Sequence, residues 1–350
     1  MPKITGIAAA VPPNKIDQNY AREFAAILFG AHFKDIKRLL PLFDNAGIKT
    51  RYFSTSPDWF EKAHSLDEKN DIYIRMATEL GANAIIKVLD STRTESNEID
   101  YLIYINTTGL ATPSIDARLI NRLGLRYDIR RTPIWGLGCA GGAAGLAHAY
   151  HYLLGHPAHR VLVVAVELCG LTFMHDDFSR SNLVACALFA DGGAAALLCG
   201  DEVDSEGLEI LATQSVFYPD SLNVMGWNIV AQGMQVVFDK RIPDIVAANS
   251  AAELDSFLGA NSLTKSDISH YLYHPGGMKV IEAYEKAYGI DGDGFALSRE
   301  ILRDYGNMSS VTVLYVISRY LEKFGLHNPG YVVISALGPG FSSESLIVRT

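Results

Sequence analysis

Trp135-Gly-Leu-Gly-Cys-Ala-Gly-Gly-Ala-Ala-Gly145 sets one cysteine, Cys139, among glycines and alanines. An extended-looking run precedes it and a helix-like run follows. Small neighbours let backbone or substrate approach closely. A cysteine at the start of a helix also gains thiolate character from the positive end of the helix dipole. Taken alone, the same residue is equally at home as a small buried hydrophobe.

Working outward, the second half of the chain repeats the first. Glu98-Ile-Asp-Tyr-Leu-Ile-Tyr-Ile105 lies over Asp267-Ile-Ser-His-Tyr-Leu-Tyr-His274, which pairs Ile99 with Ile268. At the same offset, to within one residue, Cys139 falls beside Asn307. Each of the two sits between an extended run and a helix, the second helix spanning Ser309 to Leu321. The segment Ala187 to Leu198 reads as two short strands about an Asp191-Gly192 turn, with a counterpart in the hairpin Val332 to Val348. Two similar α/β halves follow from this, since a solenoid would repeat at a far shorter period. Equivalent helix starts then face each other near the centre, which brings Cys139 towards Asn307.

Around these units the spacing predicts a strand from Ile4 to Val11 and a helix from Tyr20 to about Leu42. Further helices are expected over Asn70–Leu89 and Leu119–Leu125, and from Cys139 to about Leu154. Arg160-Val-Leu-Val-Val-Ala-Val-Glu167 is apolar on both faces, as a central strand covered on two sides would be. Glu167, at its carboxyl end, reads as a buried hydrogen-bonded carboxylate near a site. The acidic run Asp201 to Glu206 reads as the connector between halves.

At 350 residues, with 49% hydrophobic and 20% charged residues, the composition is that of a well-packed globular protein. A net charge of −9 argues against nucleic-acid binding. The start of the chain lacks the pattern of a secretory signal, and no apolar run is long enough for a membrane span. Cys139, Cys169, Cys186 and Cys199 form no CxxC, so no metal is expected and a cytoplasmic enzyme with reduced thiols fits best. Asp291-Gly-Asp-Gly294 lacks the terminal glutamate of a calcium loop and reads as a turn.

Two polar, glycine-rich turns in the second half complete a candidate constellation with Cys139: His274-Pro-Gly-Gly277 and Gly306-Asn-Met-Ser-Ser310. A cysteine with a histidine elsewhere in the chain is an arrangement for nucleophilic catalysis, the imidazole taking the thiol proton and then holding the thiolate down in pKa. An asparagine amide donates to a developing oxyanion or enolate. Lys34, Lys37, Arg38, Lys49 and Arg51 form a basic cluster able to hold coenzyme phosphates.

Leu137-Gly-Cys-Ala-Gly-Gly-Ala-Ala-Gly145, Tyr273-His-Pro-Gly-Gly277, Tyr305-Gly-Asn-Met-Ser-Ser310 and Gly338-Pro-Gly-Phe341 resemble the signatures of type III polyketide synthases, the chalcone and stilbene synthase superfamily. Asp220-Ser-Leu-Asn-Val-Met-Gly-Trp227 and Arg241-Ile-Pro-Asp-Ile-Val246 resemble its bacterial branch. The resemblance implies an α/β, thiolase-like fold of two duplicated βαβαβ halves in a five-layered α-β-α-β-α arrangement. Residues 1–200 would carry the cysteine and 201–350 the histidine and asparagine, in a homodimer.

By the same resemblance, Cys139 receives the starter acyl group, and His274 and Asn307 activate the thiol and stabilise the enolate from malonyl-CoA. Phe189 matches one gatekeeping phenylalanine, and the position of the second falls on the smaller Val236. Thr112 falls in the loop that reaches into the partner subunit's cavity, and Thr172 is carried with these as substrate-binding. The basic coenzyme A region maps onto Lys34 to Arg51. Acyl-CoA and malonyl-CoA are expected as substrates, with no separate cofactor. The smaller Val236 favours a medium- or long-chain fatty acyl starter and an alkylpyrone or alkylresorcinol-type product. The alternatives are a fatty-acid-initiating 3-oxoacyl synthase, which would make one condensation on acyl carrier protein, and a non-catalytic acyl-CoA-binding relative. Acyl carrier protein is not the expected partner.

Overall fold

The computed structural model describes residues 1–290, 294–326 and 330–350, so most of the Asp291–Gly294 run lies outside the described residues. Strands Lys3–Ala10 (β1), Asn14–Asp17 (β2), Thr50–Phe53 (β3), Tyr101–Asn106 (β4), Arg130–Trp135 (β5), Arg160–Leu168 (β6) and Asp191–Cys199 (β7) come from the first part of the chain. Leu208–Phe217 (β8), Met225–Val230 (β9), Gly233–Phe238 (β10), Ile268–Tyr273 (β11), Tyr331–Gly338 (β12) and Ser342–Arg349 (β13) follow. The helices are Gln18–Gly30 (α1), Ile36–Leu39 (α2), Pro41–Asn45 (α3), Leu66–Thr92 (α4), Ile115–Leu123 (α5), Gly141–Leu154 (α6) and Arg180–Leu188 (α7). Ile242–Ala260 (α8), Met278–Tyr288 (α9), Ala296–Tyr305 (α10) and Val311–Phe324 (α11) complete them.

The large sheet runs β11-β12-β13-β8-β1-β7-β6-β4-β5. Its centre is a short junction in which Lys3 and Ile4 pair with Glu209 and Leu208. From there one arm runs β1-β7-β6-β4 with antiparallel, antiparallel and parallel pairings. The other runs β8-β13-β12-β11 with the same three pairings in the same order. The repeat seen in the sequence is therefore a repeat of hydrogen-bond pattern.

Because strand side chains alternate between faces, each arm builds two cores. Ile103, Ile105, Val161 and Val163 turn inward with Val332, Ile334 and Val348, against Leu146 and Leu153 of α6 and Leu314 and Ile317 of α11. Leu102, Tyr104, Leu162 and Val164 turn outward onto Tyr73, Leu80 and Ile85 of α4 and Leu119 of α5. On the other arm, Tyr271, Tyr273, Val333 and Ile347 face Leu254 and Phe257 of α8 and Ile281 and Tyr284 of α9. Helices α4 and α5, one arm, α6 with α11, the other arm, and α8 with α9 make the five expected layers. Glycine lets the middle layer close: a Cβ on Gly142 of α6 would lie 2.2 Å from the Ser310 carbonyl oxygen.

Three local expectations give way. The Tyr20–Leu42 helix is three helices, since α1 ends at Gly30 and Pro41 starts α3. Helix α5 begins at Ile115, a turn before the expected Leu119. Ala187–Leu198 is not a hairpin. Ala187 and Leu188 end α7, and Asp191-Gly192 opens β7, whose nine residues are all buried between β1 and β6. Instead of turning the chain, Asp191 accepts the Ser54 and Gly170 N–H groups at 2.8 and 2.7 Å. Gly192 leaves room for Met308, whose sulfur would lie 2.5 Å from a Cβ there. The counterpart of the β12–β13 hairpin is thus β6 with β7, separated by residues 169–190.

Candidate active site

Each candidate residue is held by the strand-to-helix turn that carries it. Cys139 is the middle residue of a 3-10 turn, Gly138–Ala140, that runs directly into α6. Gly138 has φ +48, a left-handed conformation natural to glycine, and its N–H donates to the Thr107 hydroxyl at 3.0 Å. The turn is closed from the other half by Gly338, where a Cβ would fall 2.4 Å from the Leu137 carbonyl oxygen. The family-like Gly338-Pro-Gly-Phe341 turn is therefore a lid on the cysteine turn.

Asn307 is fully buried at the equivalent place before α11. Its side-chain Oδ1 accepts the Ser309 N–H at 2.8 Å, which fixes the amide so that Nδ2 points the other way, donating to the Gly276 carbonyl at 3.2 Å. Ser309 reaches that position with φ +50, a rare conformation for a residue with a side chain and one that clusters at functional sites. Gly276 belongs to the His274 turn, and a Cβ on it would lie 3.9 Å from His274 Nε2. Among the described residues neither ring nitrogen of His274 has a hydrogen-bond partner, so both are free to accept or donate a proton.

Electrostatically, burial pushes the Cys139 thiol up to about 12, opposed by hydrogen bonds from the Ser309 side chain and from the backbone. Burial likewise pushes the His274 imidazole down to about 3. Neither group is charged by its own surroundings. Beneath them, Glu167 is fully buried, accepting from the Thr107 N–H and Thr108 hydroxyl at 2.9 Å each and from the Ser310 hydroxyl at 2.7 Å. Burial raises its carboxyl to about 7 against these donors. It ties the end of β4 to the start of α11, and so one half to the other.

Phe189, 7% exposed, shares a buried cluster with Cys169 and Val236. Burial raises the Cys169 thiol, and Glu167, Asp191 and Cys139 add to the shift in that order. Val236 faces Trp227 across the β9–β10 hairpin. The ring that Val236 lacks is supplied next to it: Phe238 stacks on Phe189 at 5.6 Å and Trp227 approaches at 5.8 Å. Neither aromatic was a candidate from the sequence: Phe238 follows Val236 by two residues on β10, while Trp227 comes from β9 and meets Val236 only once the hairpin folds. Beyond Phe189 opens a cavity lined by Cys169, Thr172 and Val236 and walled by Tyr20, Phe24, Phe53, Phe60 and Phe173. Thr172 itself donates to the Cys169 carbonyl at 2.7 Å. Thr112 is exposed and lines no part of this cavity.

The basic cluster divides. Lys34, Lys37, Arg38 and Lys49 are exposed, Arg38 pairing with Asp35 at 3.3 Å. Arg51 does not belong with them. It is 2% exposed, donates to the Cys186 and Phe189 carbonyls at 2.7 and 2.8 Å, and is lowered by burial to about 10. Its strand, β3, alternates inward and outward residues, and Arg51 falls on the inward face. Among the described residues no group of His, Cys, Asp and Glu could hold a metal, and no helix is long and apolar enough to cross a membrane.

A cysteine and an asparagine at equivalent helix starts of a duplicated five-layer fold, with a histidine turn against the asparagine, are compatible with a condensing enzyme that works through an acyl-cysteine. The comparisons agree. The profile described as "Chalcone and stilbene synthases, N-terminal domain" matches residues 2–202, and that of the C-terminal domain matches residues 209–350. A putative chalcone synthase of Bacillus subtilis (strain 168) is 41% identical, over 98% of this chain and 97% of its own length. A 1,3,6,8-tetrahydroxynaphthalene synthase of Streptomyces peucetius is 35% identical, over 99% and 92%. The crystal structure of the Streptomyces coelicolor A3(2) tetrahydroxynaphthalene synthase, a bacterial type III polyketide synthase, superposes with a TM-score of 0.94 at 26% identity, covering 99% of both chains. PKS-I from the brown alga Ectocarpus siliculosus gives 0.92 at 27%, over 100% and 98%. The chain belongs to the chalcone and stilbene synthase family and is a type III polyketide synthase, an acyltransferase acting on coenzyme A thioesters.

Proposed function

We propose that the protein condenses a medium- or long-chain fatty acyl-CoA starter with malonyl-CoA and cyclises the product to an alkylpyrone or an alkylresorcinol-type ring. The observation that carries this reading is the cavity behind Phe189, whose aromatic wall offers hydrocarbon contact and few polar partners. Val236 is smaller than a second bulky ring, and Phe238 and Trp227 stand beside it against Phe189.

In this reading the Cys139 thiol gives its proton to His274 and attacks the thioester carbonyl. The carbon–sulfur bond to coenzyme A breaks, and the departing thiolate takes the proton back from the imidazolium. Malonyl-CoA then loses carbon dioxide, and the electron pair left on its α-carbon delocalises onto the thioester oxygen. The Asn307 Nδ2–H and a His274 N–H are the donors for that oxyanion. The α-carbon attacks the acyl-cysteine, expelling Cys139 as thiolate and leaving a 3-oxoacyl-CoA ready for another round. Exposed Lys34, Lys37, Arg38 and Lys49 are the candidates for the coenzyme's phosphates. Thr112, at the surface, suits a homodimer in which its loop reaches the partner's cavity.

The test is kcat/KM over a chain-length series of saturated acyl-CoAs against p-coumaroyl-CoA, with product mass spectrometry. An optimum at medium or long chains supports the proposal, and a preference for the aromatic starter contradicts it.

A further inference from the structure

The aromatic cavity has a second neighbour with a different character. Phe173 lines the cavity on one side and, on the other, an open basin. Trp59, Lys62, His64, Lys69, His175 and Asp176 face that basin. A smaller void lined by Lys69, Thr172, Gly233 and Met234 lies between the two. Thr172 is common to this void and the cavity, and Lys69 to this void and the basin. The aromatic wall is continuous as well. Phe24 and Phe60 each meet Phe173 edge-on at 6.0 Å, Trp59 meets Phe60 at 5.1 Å, and His64 stacks flat on Trp59 at 4.2 Å.

At the join sits Lys69, 5% exposed. Its ammonium donates to the Phe173 carbonyl at 2.8 Å, the one hydrogen bond it makes among the described residues, and lies 3.4 Å from where a Cβ on Gly233 would be. A buried ammonium has three donors and is rarely left with a single carbonyl partner. Asp176 is the one acidic residue facing the basin, and its carboxylate interacts with His175 at 3.2 Å. No ion pair within 4.0 Å joins it to Lys69 among the described residues. Lys62, Lys69 and Asp176 leave the basin with a net positive charge.

We propose that this is a carboxylate subsite: Lys69 takes the anionic head of a long-chain carboxylate whose hydrocarbon tail lies along Phe173 and Phe60 into the aromatic cavity. The direction is opposite to that of a thioester bound for Cys139. A free fatty acid would therefore occupy the space of the growing chain from the far end and compete with it. This inference rests on the cavities and on Lys69, not on the identity of the starter.

Trp59 and Trp227 stand at the two ends of the path, so binding is read from their fluorescence without turnover. Dodecanoate and dodecanol are titrated into the intact protein and into Lys69→Met, with thermal unfolding to confirm that the variant is folded. A charge-assisted hydrogen bond at a desolvated site predicts dodecanoate binding tighter than dodecanol by roughly 10- to 100-fold in the intact protein. In Lys69→Met that preference collapses while dodecanol affinity holds. Equal affinities for the two ligands in the intact protein overturn the proposal, whether or not the variant folds. So does a preference for dodecanoate that survives Lys69→Met.

Discussion

Phe189 and Asn307 lie side by side in a parallel bridge, although one follows α7 and the other precedes α11. The Asn307 N–H donates to the Leu188 carbonyl and the Ala190 N–H donates to the Asn307 carbonyl, each at 2.9 Å. The cavity-facing ring and the amide that points at the His274 turn thus share one short stretch of ladder. Arg51 locks it by donating to the Phe189 carbonyl. A change in either residue's backbone is felt by the other.

Burial favours the neutral form of both Cys139 and His274, so in the proposed mechanism the thiolate forms only by passing its proton to the imidazole. In His274→Ala, iodoacetamide labelling of Cys139 should fall at least about 100-fold at pH 7, the low end of what a positioned base contributes. It should recover only as pH climbs towards the value near 12 that burial imposes. Labelling rates across pH check this, and an unchanged profile would remove His274 from the site.

Asn307→Asp keeps an acceptor for the Ser309 N–H and removes the Nδ2 donor. Malonyl-CoA decarboxylation should drop roughly 100- to 1000-fold, the usual loss for one oxyanion donor, while single-turnover loading of Cys139 is spared. If both steps fell together, the amide would be structural and not a donor to the enolate.

Glu167 has its carboxyl raised from 4.5 to about 7 in the folded protein. The folded state therefore holds this proton more tightly than the unfolded chain does. Its contribution to stability is complete below about pH 4.5 and is lost as pH rises through about 7, up to about 3 kcal/mol in all. Asp191, raised to about 6 chiefly by burial, acts in the same direction. Denaturant unfolding between pH 5 and pH 8 should show a smaller loss in Glu167→Gln than in the wild type, and equal slopes would contradict the burial argument.

The two kinds of basic residue separate cleanly. Arg51→Ala strands the Cys186 and Phe189 carbonyls inside the protein and should cost about 3 kcal/mol or more. Lys37→Glu with Arg38→Glu should leave unfolding unchanged and raise KM for acyl-CoA about tenfold, through lost charge-assisted contacts. Paired unfolding curves and KM values distinguish the two outcomes.

The architecture was legible wherever hydrophobic period and repeat agreed. The match of Ile99 to Ile268 marks β4 and β11, and that of Cys139 to Asn307 marks the starts of α6 and α11. What misled was residue chemistry whose meaning depends on distant neighbours. Asp191-Gly192 carries the letters of a tight turn, but its carboxylate serves the Ser54 and Gly170 backbones and its glycine makes room for Met308. Arg51 stands in a basic run, yet the alternation of β3 turns it inward. Trp227 and Phe238 escaped notice because their site role arises from the β9–β10 hairpin folding over Phe189. No local spacing announces that closure.

The central claim of the proposed function is that Cys139 accepts a fatty acyl group. Peptide mass mapping after incubation with lauroyl-CoA alone, in the absence of malonyl-CoA, tests it most directly. The account predicts one lauroyl thioester, on the peptide carrying Cys139, and none in Cys139→Ala. Acylation of Cys169 or Cys186 instead, or no acyl-protein at all, would contradict it.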